Sequence, residues 1–255
     1  MKIPAIRGVI DRRILVNYRV DPAALTKVLT GPFRPKLVDG WGMAGICLIR
    51  LKEIRPRFLP AALGLSSENA AHRIAVEWDE GGSRREGVFV PRRDTSSRLN
   101  TAVGGVLFPG VQHHATFRID EQDDRFGVEM ESDDHTTRVA VEGRLSHALP
   151  AASVFGSLPE ASDFFERGAL GYSLTARPNE LDGLELQSFG WNVEPLDVGR
   201  VESSFFDDRA LFPVGSIEFD CALLMRGIVH EWHGRGSLRT GPQGVGCRDT
   251  EPGQV

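Results

Sequence analysis

Short apolar runs separated by clusters of Gly, Asp, Ser and Pro recur along most of the chain, and this pattern predicts strands joined by turns. Leu37-Val38 and the run beginning at Trp41 flank Asp39-Gly40, a pair suited to a type I′ hairpin turn, so a strand over about 42–52 follows. Residues 72–78 and 86–91 read as a second hairpin, with the acidic, Gly-containing stretch Asp79 to Arg85 as a longer loop. Residues 112–119, 126–131 and 136–142 read as a meander broken at Glu121 to Asp124 and at Ser132 to Asp134. Later strands are predicted over 184–189, 191–205 and 216–232, with Pro195 and Gly199 marking a bend or bulge in the second.

Helical signals are few. Asp21 before Pro22 is a capping residue ahead of a first-turn proline, and Ala23 to Leu29 continue a short helix that ends at Gly31-Pro32. Ser157-Leu-Pro-Glu160 fits a capping box, with Phe164 and Phe165 as an apolar face and Gly168 as the stop. Many antiparallel strands with a few short helices predict a mostly β fold with minor α, a closed barrel or cone-like sheet that removes unpaired edges and could enclose a pocket. Residues 1–235 are expected to form one domain, and the polar, Gly-rich residues 236–255 a flexible tail.

Composition narrows the function. A net charge of -5 gives no broad attraction for a polyanion, and the basic residues are interspersed with acidic ones, so nucleic acid is not expected as a partner. The N-terminus is broken by Pro4, Arg7 and Asp11 before a signal-peptide core could form, and the apolar stretch near Trp41 to Ile49 is too short to cross a bilayer. A cytoplasmic protein without a membrane partner is expected. Cys47, Cys221 and Cys247 are too widely spaced for a disulfide framework or a clustered zinc site and read as buried thiols. Lysine is scarce: only Lys2, Lys27, Lys36 and Lys52 occur, so amine chemistry must use one of these or the N-terminus.

Gly87-Val-Phe-Val-Pro91-Arg92-Arg93, at the end of a predicted hairpin strand, resembles the strand of acetoacetate decarboxylases that carries a proline followed by two lysines. The stretches Arg13 to Pro22, Pro35 to Gly42 and Phe212 to Asp220 resemble an uncharacterised bacterial group of DUF2071 type related to those enzymes, and the likeness runs over about residues 10–235. In the decarboxylases the first lysine attacks the ketone of a β-keto acid, and its neighbour keeps that amine unprotonated. Arg92 takes the place of this nucleophile and Arg93 that of the neighbour. A guanidinium stays protonated and cannot form the neutral amine that imine chemistry requires, so the resemblance implies the fold without Schiff-base decarboxylation.

An arginine instead offers a planar donor fork for a carboxylate, which makes a small organic acid the expected ligand and Arg92 the favoured contact. On a strand Arg92 and Arg93 point to opposite faces, so one of them enters the interior; the bland alternative pairs them with Asp94 or Glu86. The decarboxylases also carry a pocket glutamate on a preceding strand. Glu68 stands in a comparable place as a candidate general base, and a one-residue shift would present Asn69 in its stead. Arg73 shares the strand parity of Asn69 and could join an anion site, or pair with Glu86 across the hairpin.

Metal and cofactor signals are weak. His113-His114 and His230-Glu-Trp-His233 split their rings between faces on a strand, which argues against a metal centre. Gly104-Gly105 has no following helix and reads as a turn, and no cofactor is implied. Trp41, Trp78, Trp191 and Trp232 most simply fill the core or line a pocket. Three functions stay open: an organic-acid binding protein, an enzyme of altered mechanism such as a lyase, aldolase-like enzyme or hydratase, and a homo-oligomeric interaction module.

Overall fold

The computed structural model describes residues 5–102 and 110–240. In chain order the elements are β1 (Ile6–Val20), α1 (Pro22–Val28), β2 (Arg34–Pro35), β3 (Leu37–Val38), β4 (Trp41–Pro56), β5 (Leu65–Glu80), β6 (Ser83–Thr95), α2 (Arg98–Ala102), β7 (His113–Gln122), β8 (Arg125–Ser132), β9 (Arg138–Leu145), α3 (Leu158–Glu166), β10 (Leu170–Leu174), β11 (Glu180–Phe189), β12 (Glu194–Ser203) and β13 (Ile217–Arg239). Mostly β structure with short helices is what the turn pattern predicts. The predicted turn at Gly104-Gly105 and the residues beyond 240 lie outside the described residues.

Hydrogen bonding closes the strands into a ring. β1 lies between β13 and β4, β4 pairs with β5, β5 with β6, β6 with β10, β10 with β11, and β11 returns to β13. A second closed path leaves β6 through β7, β8, β9 and β12 and also returns to β13. Every contact is antiparallel except β6 with β10 and β6 with β7, so the sheet is mixed and not wholly antiparallel as expected. Closure pairs strand edges that would otherwise be open to another chain.

Local chemistry fixes several of these elements. Asp39 and Gly40 both have positive φ, as a type I′ turn demands, and they join β3 to β4. The loop expected over Asp79 to Arg85 is shorter than that: Gly81 and Gly82 alone turn the chain at positive φ, and Asp79 pairs with Arg84. The Asp21 carboxylate accepts the Ala23 amide at 2.7 Å to start α1. Ser157 Oγ accepts the Glu160 amide of α3, while the Glu160 carboxylate takes the Gly156 amide, one residue ahead of the expected capping-box partner. Gly199 lies in a register shift of β12, where a bulge was expected. Within the stretch expected from residue 236 to be a flexible tail, Leu238 and Arg239 are ordered in β13 and pair with Leu181 and Glu180.

Two cores lie on opposite faces of the shared strands. One contains Ile14, Val16, Ile46, Leu48, Ile74, Val128, Val141, Phe206 and Leu224 and is closed by the meander β7–β9 with β12. The other contains Ile10, Leu15, Met43, Cys47, Leu51, Leu223 and Met225, with Phe164 and Phe165 of α3 packed against it. Its side chains line the inside of the ring through β10 and β11, and this is the inner face below. Among the described residues no helix is long and apolar enough to cross a membrane.

Candidate functional site

Strand register stacks three lateral rows on the inner face. Arg13, Ile49, Asn69 and Thr95 form one row across β1, β4, β5 and β6, and Leu15, Cys47, Ala71 and Arg93 form the next. Asn17, Gly45 and Arg73 form the third. Gly45 has no room for a side chain, since a Cβ there would collide with the Val16 carbonyl oxygen. Over this gap Arg73 Nη2 donates to Asn17 Oδ1, and Asn17 Nδ2 in turn donates to the Leu15 carbonyl at 3.2 Å and approaches Cys221 Sγ at 3.5 Å. The small Ala71 likewise leaves open the space between Cys47 and Arg93.

Three arginines therefore meet on one face without carboxylates. Arg13 Nε donates to Cys47 Sγ at 3.0 Å, Arg93 Nε donates to Ser173 Oγ of β10 at 2.8 Å, and Arg73 has Asn17 as its hydrogen-bond acceptor. None of the three forms an ion pair among the described residues. Arg73 is 5% exposed and its Nε has no partner. Aromatic rings cover the cations where acids do not, with the Arg73 guanidinium 4.8 Å from the Phe165 ring and that of Arg13 5.9 Å from Trp191. Burial lowers Arg73 to about 10, with the charge of Arg13 acting in the same direction, and burial lowers Arg93 to about 10. Both remain charged at neutral pH, in a place that costs free energy unless an anion joins them.

The opposite face is balanced. Arg12 donates to Glu121 at 2.5 Å and to Glu68 at 2.6 Å, and Arg50 reaches Glu68 at 2.5 Å, Glu121 at 2.9 Å and Asp11 at 3.5 Å. Both oxygens of the Glu68 carboxylate are thus occupied by arginines, on the face away from Asn69, Arg73 and Arg93. Arg92 also turns to this side, where it pairs with Asp94 at 2.8 Å and Asp134 at 3.0 Å. Burial pushes the Asp94 carboxyl up against the lowering pull of Arg92, and Asp94 has no exposed surface. Arg92, expected from the resemblance in the nucleophile's place and as the favoured ligand contact, is held by carboxylates, and its neighbour Arg93 is the one that reaches the inner face.

The other sequence candidates fall into place around these groups. The segments about Glu68 and Pro91 are neighbours, with Asn69 opposite Thr95 and His72 opposite Arg92. Asn69 Nδ2 donates to Ser67 and to the Ile49 carbonyl, so it shares the inner face but is tied to backbone. Arg73 does not pair with Glu86, which instead takes Lys36 at 2.6 Å and Arg167 at 3.5 Å. Lys52 is ion-paired with Asp11 at 2.8 Å and half exposed. His113 and His114 pair with Asp134 and Asp133. His72 is fully buried against Phe205 and Phe206 and its Nε2 meets Ser203 Oγ at 3.1 Å, whereas His230, also fully buried, has no hydrogen bond of ordinary geometry to either ring nitrogen. Trp78 fills the core, and Trp191 and Trp232 pack against the inner cluster.

Small cavities open beside the arginines. One of about 60 Å³ is lined by Cys47, Asn69, Ala71, Arg93, Leu184 and Trp232, and a further one of about 220 Å³ shares Arg93 with Ser173 and His113. A third, of about 30 Å³, lies between Arg13, Arg73, Lys36 and the Phe164-Phe165 pair of α3. A larger concavity, about 460 Å³, lies elsewhere, over Arg118, Arg125, Glu129, Glu142 and Arg144 of the meander. It is an open groove in which charges of both signs alternate, whereas the inner cavities gather unpaired cations in a low-dielectric setting, where an anion gains most.

The match to known proteins agrees with this fold. The DUF2071 family, described as an uncharacterized conserved protein, matches residues 10–179. The chain belongs to this family. None of the curated proteins matches it. Solved structures with the same fold as this DUF2071 chain include acetoacetate decarboxylase from Legionella pneumophila, which is 14% identical, with 90% of this chain and 86% of that chain covered and a TM-score of 0.59. An acetoacetate decarboxylase-like enzyme from Sphingomonas wittichii RW1 is 15% identical over 94% of each chain, with a TM-score of 0.56. The enduracididine biosynthesis enzyme MppR, complexed with the condensation product of pyruvate and imidazole 4-carboxaldehyde, is 13% identical over 93% of this chain and 89% of that chain, with a TM-score of 0.60.

The sequence reading missed Arg13, Asn17 and Cys47. For Arg13 and Asn17 the signal was the spacing Arg13, Leu15, Asn17 within the stretch quoted for its family likeness, which puts them on one face if that stretch is a strand; Cys47, on β4, had no such signal.

Proposed function

We propose that this DUF2071 protein binds a small organic acid inside the ring of strands through Arg73 and Arg93, with Arg13 as a third cation, and without Schiff-base catalysis. The observation that carries this reading is the absence of any ion pair to these three guanidiniums among the described residues, in a chain whose Arg12, Arg50, Arg92 and Arg200 all have carboxylates. A carboxylate ligand supplies the missing charge and accepts paired N–H donors from a guanidinium fork. The cavities beside Arg93 are below the 300–1,000 Å³ usual for drug-sized ligands, which favours an acid of a few carbons. Lys36, the lysine beside the arginines, is held by Glu86 at 2.6 Å with its Nζ 4.3 Å from the Phe164 ring centre, contacts that do not suit it to imine formation. A fold neighbour, MppR, is complexed with pyruvate, an acid of the expected size.

Calorimetry with a panel of short keto and hydroxy acids tests the reading. An acid that binds the wild-type chain should bind Arg93→Lys more weakly, because the ammonium keeps the charge and loses the planar fork, at a cost of about 1.5–3 kcal/mol for a buried contact. Arg92→Lys should leave the affinity unchanged. An Arg92→Lys effect larger than that of Arg93→Lys would move the site to the opposite face.

A further inference from the structure

Cys47 occupies an unusual position for a buried thiol. Its sulfur accepts the Arg13 Nε–H at 3.0 Å, and it shares a lateral row with Arg93 across Ala71. No carboxylate pairs with these guanidiniums among the described residues. Arg73, nineteen-twentieths buried, also leaves its Nε without an acceptor in the next row. Cys47 and Arg93 line the same cavity of about 60 Å³. Cys221 shows the contrast: it has no exposed surface, and burial, with Asp220 acting in the same sense, pushes its thiol up.

A thiol reacts as its thiolate, and guanidiniums without counter-ions draw a carboxylate to the place where this sulfur sits. A small acid held on Arg93 in the shared cavity brings its neighbouring carbon toward Cys47. We propose that Cys47 is the nucleophile of this site, attacking an electrophilic carbon adjacent to a carboxylate held by the arginines. For a 2-oxo acid, an Sγ–C bond forms as the carbonyl π pair moves onto oxygen, and that oxygen takes up the proton the thiol gave up. The product is a reversible hemithioketal, and the step needs no oxidant or reductant. The proposal rests on the acid-binding reading for the placement of the carboxylate and goes beyond it in assigning covalent chemistry to the chain.

Iodoacetate and iodoacetamide separate charge steering from simple accessibility. In each, the sulfur displaces iodide from the same carbon, and only iodoacetate carries the carboxylate. With the full chain at neutral pH and peptide mass mapping, Cys47 should be carboxymethylated about tenfold faster than it is carbamidomethylated, relative to the ratio for free glutathione. Excess acetate should slow the iodoacetate reaction, and Arg13→Gln should bring the ratio toward that of glutathione. A Cys47 preference equal to that of glutathione, a preference for iodoacetamide, or alkylation confined to Cys221 and Cys247 would overturn the assignment. Calorimetry on Cys47→Ser keeps the two readings apart. Retained acid binding alongside a wild-type chain with no iodoacetate preference removes Cys47 and leaves the acid site. An iodoacetate preference in a chain that binds no acid in calorimetry supports Cys47 and removes a stable acid complex.

Discussion

Adjacent residues of this chain live in opposite electrostatic worlds. Arg12 and Arg13 on β1, Glu68 and Asn69 on β5, and Arg92 and Arg93 on β6 are each split by strand alternation, one to either face. On one face Arg12, Arg50, Arg92, Glu68, Glu121, Asp94 and Asp134 pair with one another. On the inner face Arg13, Arg73 and Arg93 make do with a thiol, an amide and a hydroxyl. The histidines divide in the same way, with His72 bonded to Ser203 and His230 without a well-formed hydrogen bond. A balanced network is what structure alone requires. An unbalanced one of equal cationic content, on the other side of the same strands, is the contrast on which the proposed acid site rests.

Removing Glu68 should have the largest effect and should be purely structural. Arg12 has 2% of its side chain exposed, and Glu68→Ala would leave it dependent on Glu121 and Arg50 on Glu121 and Asp11, at a cost of about 3 kcal/mol in urea unfolding. Acid affinity of the folded variant should stay at the wild-type value. A loss of affinity without a loss of stability would merge the two faces into one site.

The histidines sharpen the comparison through pH. Burial, aided by the charge of Arg92, lowers His72 to about 3, and burial, with Arg13 acting alike, lowers His230 to about 4. Both are neutral when folded and take up a proton on unfolding below the ordinary value of 6.5. Their contribution is complete above pH 6.5 and is lost as pH falls toward the folded values, with a slope of about 1.4 kcal/mol per pH unit for each histidine. His230→Leu should remove one such slope between pH 6.5 and 4. An unchanged pH profile of the unfolding free energy would mean that His230 gains a partner in solution.

The smallest expected change has the opposite sign. Arg73→Met replaces an uncompensated buried charge by an apolar chain of similar length and should stabilise the acid-free protein by about 1 kcal/mol while weakening acid binding. Thermal unfolding with and without the acid measures both. Destabilisation as large as that of Glu68→Ala would show that Arg73 is already compensated, and the contrast between the faces would fail.

How much of this was legible follows from how locally each feature is encoded. The Asp39-Gly40 turn, the Asp21 and Ser157 caps and the Gly199 bulge depend on a few adjacent residues and could be read directly. Strand β1 was not predicted, because it is covered on both faces: Ile14, Leu15 and Val16 are all buried, and its polar Arg12, Arg13 and Asn17 pair within the sheet, so no period of two stands out. The five-residue β10 is too short to show a period at all. At the site, Arg73 and Arg93 were named from parity and family likeness. Arg13 and Cys47 became visible only when register placed β1 and β4 side by side with β5 and β6, and that is long-range information.

The register shift in β6 has a consequence of its own. Ile74 and His72 of β5 face Phe89 and Arg92, so two steps on one strand match three on the other, and the additional residue falls at Val90-Pro91. Proline suits such a point because it has no amide hydrogen to leave unpaired. Were the strand regular there, Arg92 would face inward and Arg93 outward. Which of two identical side chains is offered to the cavity is therefore encoded by chain length, not by residue type. In this lineage the loss or gain of one residue ahead of the arginines is the mutational step that would exchange which of them faces inward, and an alignment that closes such a gap without regard to phase would place the wrong arginine inside the ring.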